Sequence, residues 1–334
     1  MNKLLIGLLG ALVATNQVLA SSNVIQQSTG ISISITNSNV PAETELEQLM
    51  AKDDAAQAEV SKWIRDNNAF AAQGAGETRE ELNRRIMARL NGIRASYEDF
   101  LRRYPNSAGG HLAYGSFLND IGEEGAAMRQ NEKASQLDPK NPAAWNNLAN
   151  YCVENGLLTN AFINYAKAIE LNPTEPVYYE NFATVVYLYR KDAREFYHIN
   201  EQQVFDKSLA LYRKAMQLDP DNFRLATDCA DSYYEIRPLR TNEMLAAWSN
   251  ALQIAHNDIE REGVYIHLAR IKMIVGRYAE ARTQLDAVTN SKYADLKHGL
   301  ERSLTERENK ATNASVANTS ANVTVPTDLP PKAE

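Results

Sequence analysis

The chain has 334 residues, of which 44% are hydrophobic and 23% are charged, and its formal net charge is −7. This composition is typical of a globular protein with a sizeable core, not of a fibrous or wholly disordered chain. The acidic balance argues against nucleic acid or an anionic membrane surface as the main partner, because both attract basic proteins.

The first twenty residues predict an export signal. Lys3 precedes an apolar run over 4–14, and Val18 and Ala20 supply the pattern of a cleavage site. The run is shorter than the ~20 residues that a membrane-spanning helix needs. We therefore expect cleavage near Ala20 and a mature protein in the periplasm or outside the cell. The Ser-, Asn- and Thr-rich segment that follows, 21–42, predicts a disordered linker.

Two long helices are predicted next, as an N-terminal hairpin over 43–107. Thr44 with Glu47, and Thr78 with Glu81, have the spacing of capping boxes at helix starts. Apolar residues at helical spacing follow each cap, and the stretch "AAQGAGE" separates the two helices.

From residue 108 onward the chain repeats itself. The phrases "ASQLDP", "AIELNP" and "AMQLDP" end at Pro139, Pro173 and Pro220, and the first two prolines are 34 residues apart. The segment "PAAWNNLANYCVENGLLTNAFINYAKAIELNP" at 142–173 resembles the tetratricopeptide repeat family. The residues that carry this resemblance are Trp145, Leu148, Ala149, Ala161, Tyr165, Ala168 and Pro173.

The resemblance implies an all-α solenoid of tetratricopeptide-like helical hairpins, wound as a right-handed superhelix. A single hairpin cannot bury its apolar stripe, so neighbouring hairpins must stack to form the core. After the repeats, we expect a polar capping helix over 295–310 and a disordered tail over 311–334. The five predicted repeats are 108–141, 142–175, 176–222, 223–261 and 262–295.

The third repeat is longer than the others, because Pro173 and Pro220 are 47 residues apart. Without proline or glycine in 177–219, both of its helices are predicted to be about two turns longer and to project, with a tip near 198–200. The hairpin would carry an aromatic and basic mixture that is common in protein interfaces. A self-packed extension with solvated charges is the alternative. The residues in question are Tyr189, Arg190, Lys191, Arg194, Phe196 and Tyr197.

Side chains beside the core stripe of each first helix are implied by the resemblance to line a concave groove. Amide side chains both donate and accept hydrogen bonds, so a row of them suits an extended ligand, whereas a merely solvated face is the alternative. The predicted ligand-binding residues are Asn146, Asn147, Asn150, Glu154, Glu180, Asn181, Thr184, Tyr187, Thr227, Asp228, Asp231, Tyr234, His267 and Arg270.

These features predict a non-catalytic scaffold that binds an extended protein or peptide. An acidic C-terminal tail is disfavoured as ligand, because the carboxylates of the predicted groove outnumber its cations. One alternative is a structural subunit of a larger envelope complex that uses the convex face or the third hairpin. An enzyme acting through Glu195 and His198 is another, although the sequence has no recognisable catalytic, cofactor or metal motif.

Overall fold

The computed structural model describes residues 41–72 and 74–321, and these residues contain helices, turns and loops but no β-strand. This confirms the predicted all-α class of helical hairpins. The predicted export signal, the linker up to residue 40 and the tail from residue 322 lie outside the described residues. The α-helices are α1 (Pro41–Ala71), α2 (Arg79–Arg103), α3 (Ala108–Asp120), α4 (Glu124–Leu137), α5 (Pro142–Glu154), α6 (Leu158–Leu171), α7 (Pro176–Leu188), α8 (Arg190–Tyr197), α9 (Glu201–Leu218), α10 (Phe223–Ser232), α11 (Thr241–Gln253), α12 (Asp258–Ile274), α13 (Tyr278–Asp286) and α14 (Ala294–Ala321).

Helices α1 and α2 form the N-terminal hairpin, and one of its two predicted caps is wrong. Helix α1 begins at Pro41, so Thr44 lies inside the helix instead of preceding it, and the linker ends earlier than predicted. Proline suits a first helical position, because the N–H that it lacks would have no partner there. The second capping box is confirmed, since the Thr78 hydroxyl accepts from the Glu81 backbone N–H and the Glu81 carboxylate accepts from that of Thr78.

The N-terminal hairpin is longer than the repeats that follow it. Helix α1 has 31 residues and α3 has 13, which correspond to about 46 Å and about 20 Å. Because Leu46 lies against Gly109 at the start of α3, the C-terminal half of α1 runs past the end of α3. There it contacts α2, with Arg85 stacked 4.3 Å from the Trp63 ring centroid. The hairpin that projects is therefore the N-terminal one.

The repeated proline phrase marks the end of the second helix in each of the first three repeats. Helices α4, α6 and α9 all stop two residues before proline, because the residue before a proline disfavours helical geometry. In the first two repeats that residue also stabilises the turn. Asp138 accepts from the N–H of Lys140, and Asn172 accepts from that of Thr174, both at 3.1 Å.

The third repeat contains a separate short helix, and only its second long helix is lengthened. Helix α9 has 18 residues against 14 in α6, so the prediction that both helices are about two turns longer and project is wrong. Helix α7 has 13 residues, the same number as α5. The inserted residues form α8, which is followed by His198 in the left-handed region at φ 54°. Helix α8 lies against α6, where the rings of Phe196 and Tyr197 are 5.3 and 5.8 Å from that of Phe162. The inserted residues therefore extend the core.

The repeats form two compact units that divide between Asp219 and Pro220. In the first unit, Tyr97 of α2 stacks on Tyr114 of α3 at 5.4 Å and ties the N-terminal hairpin to the first repeat. The alanines that carry the resemblance to the tetratricopeptide repeat are fully buried, with 0% exposure at Ala149, Ala161 and Ala168. Cys152 and Cys229 are both buried, and they form no disulfide with each other.

The second unit comprises α10 to α14, with a 3-10 turn at Tyr233–Glu235 and another at Ser291–Tyr293. Its last cluster includes Leu285 and the fully buried Leu304 of α14, so α14 covers the end of the fifth repeat. Helix α14 continues to Ala321, which contradicts the predicted disorder of 311–321. Alanine, which has the strongest helix propensity, makes up four of the eleven residues in 311–321, although the Ser, Asn, Thr and Val residues between them do not favour a helix.

Candidate functional site

The amide side chains of the first unit form a ladder between successive repeats. Asn147 of α5 donates to the Ser116 hydroxyl of α3 at 3.2 Å, and Asn181 of α7 donates to the Asn146 carbonyl oxygen at 3.1 Å. Asn146 is 0% exposed and Asn147 is 7% exposed. The expectation that these two amides lie on an accessible face is wrong, because the preceding repeat contacts Asn147 and the next repeat contacts Asn146. Their hydrogen bonds hold the first helices of three repeats together.

A second set of hydrogen bonds joins the two helices within a repeat. The Tyr165 hydroxyl of α6 donates to Asn150 Oδ1 of α5 at 2.6 Å. One repeat later, Tyr212 of α9 and Thr184 of α7 make the equivalent contact at 2.8 Å. Asn150 and Thr184 remain half-buried rather than buried. They are therefore polar groups of fixed orientation at matching positions of consecutive repeats.

Of the remaining predicted residues of the first unit, Glu154 and Tyr187 lie near the C-terminal ends of α5 and α7, and Glu180 lies in the N-terminal half of α7. Glu154 is exposed, whereas Glu180 is buried. Partial desolvation, together with the carboxylate of Glu124, raises the pKa of Glu154. Tyr187 is half-buried, and beside it Leu188 is 60% exposed. This end of the first helices thus presents acidic, aromatic and aliphatic groups.

In the second unit, Thr227 and Asp228 interact with their own helix. The Thr227 hydroxyl donates to the Arg224 carbonyl oxygen at 2.8 Å, and the Arg224 guanidinium lies 3.0 Å from the Asp228 carboxylate. These contacts follow α10, as expected for residues three and four apart on a helix. They reduce the polar groups that α10 can offer to a ligand.

The other predicted residues of the second unit come together in what we call the His267 cluster. The Tyr234 hydroxyl is 3.0 Å from His267 Nδ1, and Asp231 Oδ1 is 3.8 Å from the same atom. The guanidinium carbon of Arg270 lies 5.9 Å from the centroid of the Tyr234 ring. The sequence placed these residues on one face, and the structure brings them into contact.

Trp248 belongs to the same cluster but escaped the sequence analysis. Its ring stacks on His267 with centroids 3.8 Å apart and planes 13° apart. Its indole N–H is buried without a hydrogen-bond partner among the described residues. Tyr165, Tyr212 and Trp248 each precede a buried alanine by three residues, at Ala168, Ala215 and Ala251. Aligning the repeats on those alanines would have found it.

The His267 cluster contains an uncharged imidazole near neutral pH. Burial, and then the nearby Arg270, lower the pKa of His267 to about 4. Burial raises the pKa of the Asp231 carboxyl group, although Arg270 opposes that shift. The cluster therefore combines aromatic rings with one carboxylate and one guanidinium, a mixture that can bond a peptide backbone and contact an apolar side chain.

The residues predicted as an interface around α8 are divided by the fold. Lys191 and Arg194 are exposed, whereas Tyr189, Arg190, Phe196 and Tyr197 are half-buried. The Lys207 ammonium lies 4.1 Å from the centroid of the Tyr197 ring. The aromatic residues thus pack internally, in agreement with the alternative of a self-packed extension.

In the described part of the chain, no three His, Cys, Asp or Glu side chains are grouped so that they could hold a metal ion. None of the described helices combines the length and the apolar character needed to cross a membrane.

Comparison with known proteins identifies one repeat directly. The tetratricopeptide repeat family model matches residues 142–175, which contain α5 and α6. No curated protein matches the chain.

Several solved structures are similar in fold. The C-terminal part of a TPR repeat-containing protein from Cytophaga hutchinsonii is 14% identical, with a TM-score of 0.49 over 76% of this chain and 97% of that one. PilF from Pseudomonas aeruginosa is 16% identical, with a TM-score of 0.46 over 70% of this chain and 90% of that one. YrrB, described as a TPR protein with an unusual peptide-binding site, is 12% identical, with a TM-score of 0.47 over 62% and 97%.

Proposed function

We propose that this tetratricopeptide-repeat protein is a non-catalytic scaffold that binds an extended protein or peptide segment along the first helices of its repeats. The observation that carries the proposal is the pair of oriented groups at Asn150 and Thr184. Because Tyr165 and Tyr212 hold them in place, little side-chain freedom would be lost on binding. Asn150 uses its oxygen for Tyr165, which leaves its amide N–H groups for a partner.

Hydrogen bonds alone would give weak binding. Each contributes about 0.5–1.5 kcal/mol, whereas micromolar affinity requires about 8 kcal/mol. A partner must therefore also bury apolar surface, and the exposed Leu188 beside Tyr187 offers such a contact in the first unit. We infer a ligand that combines backbone hydrogen bonds with an apolar anchor.

A second candidate function is a structural subunit that uses the outer face of the repeats. Its supporting observation lies at α6, where Ile163 is 53% exposed and Leu157, just before the helix, is 49% exposed. Ile163 lies on the side of α6 away from the buried Phe162 and Tyr165. Large aliphatic side chains in such positions are the kind of surface that a permanent contact would cover.

One binding experiment separates the two functions. A peptide selected from a random display library on the wild-type chain is titrated against an Asn150→Asp, Leu188→Glu variant and an Ile163→Glu control. Asn150→Asp keeps the acceptor for Tyr165 but removes the donor. We expect the double variant to bind at least about tenfold more weakly, which corresponds to 1.4 kcal/mol, and the control to bind as wild type. Loss of binding in the control alone would instead favour the outer face.

We also propose that the protein is exported and acts in the periplasm or outside the cell. The support is the sequence of the first twenty residues. Lys3 precedes an apolar stretch, and Val18 and Ala20 supply the pattern of a cleavage site. Fractionation of cells that express the full chain, followed by N-terminal sequencing, is expected to give a mature protein that begins at Ser21. A cytoplasmic product that retains Met1 would contradict this.

A further inference from the structure

An acidic residue interrupts the apolar face by which α1 packs on α2. Leu49, Ala56 and Val60 are buried at helical spacing on this face, and Asp53 among them is 1% exposed. The Asp53 carboxylate accepts from the Tyr97 hydroxyl at 2.9 Å and from the Gln57 amide at 3.4 Å. Both donors are uncharged, so the burial of a charge at this position is poorly compensated.

The charged groups around Asp53 come from three helices and are mostly acidic. Asp54 follows it on α1, and Asp120 ends α3 within electrostatic range of both. The nearby cation, Arg89 of α2, is already bonded to Glu59 of α1 at 2.8 Å. Beyond these groups, α2 faces the first repeat with two further contacts, Arg94 with Glu123 and Glu98 with Tyr114.

This environment opposes ionisation of three carboxyl groups, of which Asp54 has its pKa raised by burial to about 6. Burial, and then Asp54, raise the pKa of Asp53 to about 7, against the effect of its hydrogen bonds. Asp120 as a whole residue is exposed to solvent, but the protein around its carboxyl group, and then Asp53 and Asp54, raise its pKa to about 7. A carboxyl group whose pKa is raised by packing favours the packed state most in acid, and this advantage is lost as pH rises from about 4 to about 7.

We propose that Asp53 and Asp120 make the contact of α1 with α2 and α3 pH-sensitive, so that α1 is held more tightly in mild acid than at pH 8. Helix α1 covers part of the first repeat, since Leu46 lies on Gly109 and Met50 packs against the cluster that contains Leu112. Loosening of α1 at higher pH therefore uncovers apolar surface on α3. The pH-sensitive packing of α1 therefore changes access to the first repeat, independently of what the repeats bind.

Hydrogen exchange of the mature full-length protein at pH 5.5 and pH 8.0, normalised to intrinsic exchange rates, tests the proposal. We expect segment 46–60 to open on the order of tenfold more often at pH 8.0. Asp53→Asn keeps an acceptor for Tyr97 without the charge, and we expect it to remove most of that difference. Asp66→Asn, on the exposed side of α1 beside Lys62, is the matched control and retains it.

Asp120→Asn provides a second test that leaves the buried face of α1 intact. We expect this substitution to reduce the pH dependence at least threefold. Equal protection of wild-type α1 at both pH values, or a difference that survives both the Asp53 and the Asp120 substitutions, would overturn the proposal.

Discussion

Gly110 occupies a point at which α3 crosses α2 without room for a side chain. A Cβ atom there would lie 2.5 Å from a ring carbon of Phe100 and 3.1 Å from a methyl carbon of Leu101. Phe100 is 1% exposed and is held on all sides. We therefore expect Gly110→Ala to lower the free energy of unfolding of the first unit by about 1–3 kcal/mol, as measured by urea denaturation.

Gly92 gives the matched control on the neighbouring helix. It is exposed in the middle of α2, and a Cβ atom would meet nothing within 4 Å. Because alanine favours a helix over glycine, Gly92→Ala should stabilise the protein by about 0.5–1 kcal/mol. If both substitutions stabilised the protein, the close contact at Gly110 would be refuted.

Asn146 and Asn147 show a limit of predicting a site from the spacing of apolar residues in one helix. The spacing of apolar residues in α5 identifies the face that meets α6, and Asn146 and Asn147 lie outside it. They are nevertheless buried, because the adjacent repeats cover a second face of α5. A pattern within one helix carries no information about that second contact. The bond between Asn150 and Tyr165 escaped prediction for the same reason, since it depends on how two helices cross.

At the scale of elements, the sequence predicted the helices of the regular hairpins better than those of the insertion in the third repeat. Proline at the start of α5 and α7, and the phrase that ends α4 and α6, are local signals that act through backbone geometry. The insertion offers one such signal, the capping box of Asn200 with Gln203 that starts α9. The end of α8 has none, because it falls on the left-handed His198 and not on glycine. The aromatic residues of α8 suit an interface or a core equally well, and only their contacts with Phe162 decide between the two.

The apolar residues that the structure describes are buried in several local clusters, and neither compact unit is described as packed around one central core. The cluster of the second and third repeats contains Phe162 and Phe182, whereas that of the fifth repeat contains Leu285 and Leu304. In such arrays, stability is approximately a sum of contributions from each repeat and its neighbours. The effect of a core substitution should therefore be confined to the repeats around it.

Tryptophan fluorescence can test this independence, because Trp145 lies in the first unit and Trp248 in the second. Leu304 is fully buried. Leu304→Ala should therefore lower the free energy of unfolding of the repeat that it packs against by about 2–5 kcal/mol. In single-tryptophan variants, we expect this substitution to lower the urea midpoint reported by Trp248 and to leave that reported by Trp145 nearly unchanged. Phe182→Leu, in the other cluster, should shift the Trp145 transition instead. Equal shifts of both reporters would mean that the array unfolds as one cooperative body, and the division of the core into local clusters would have no energetic consequence.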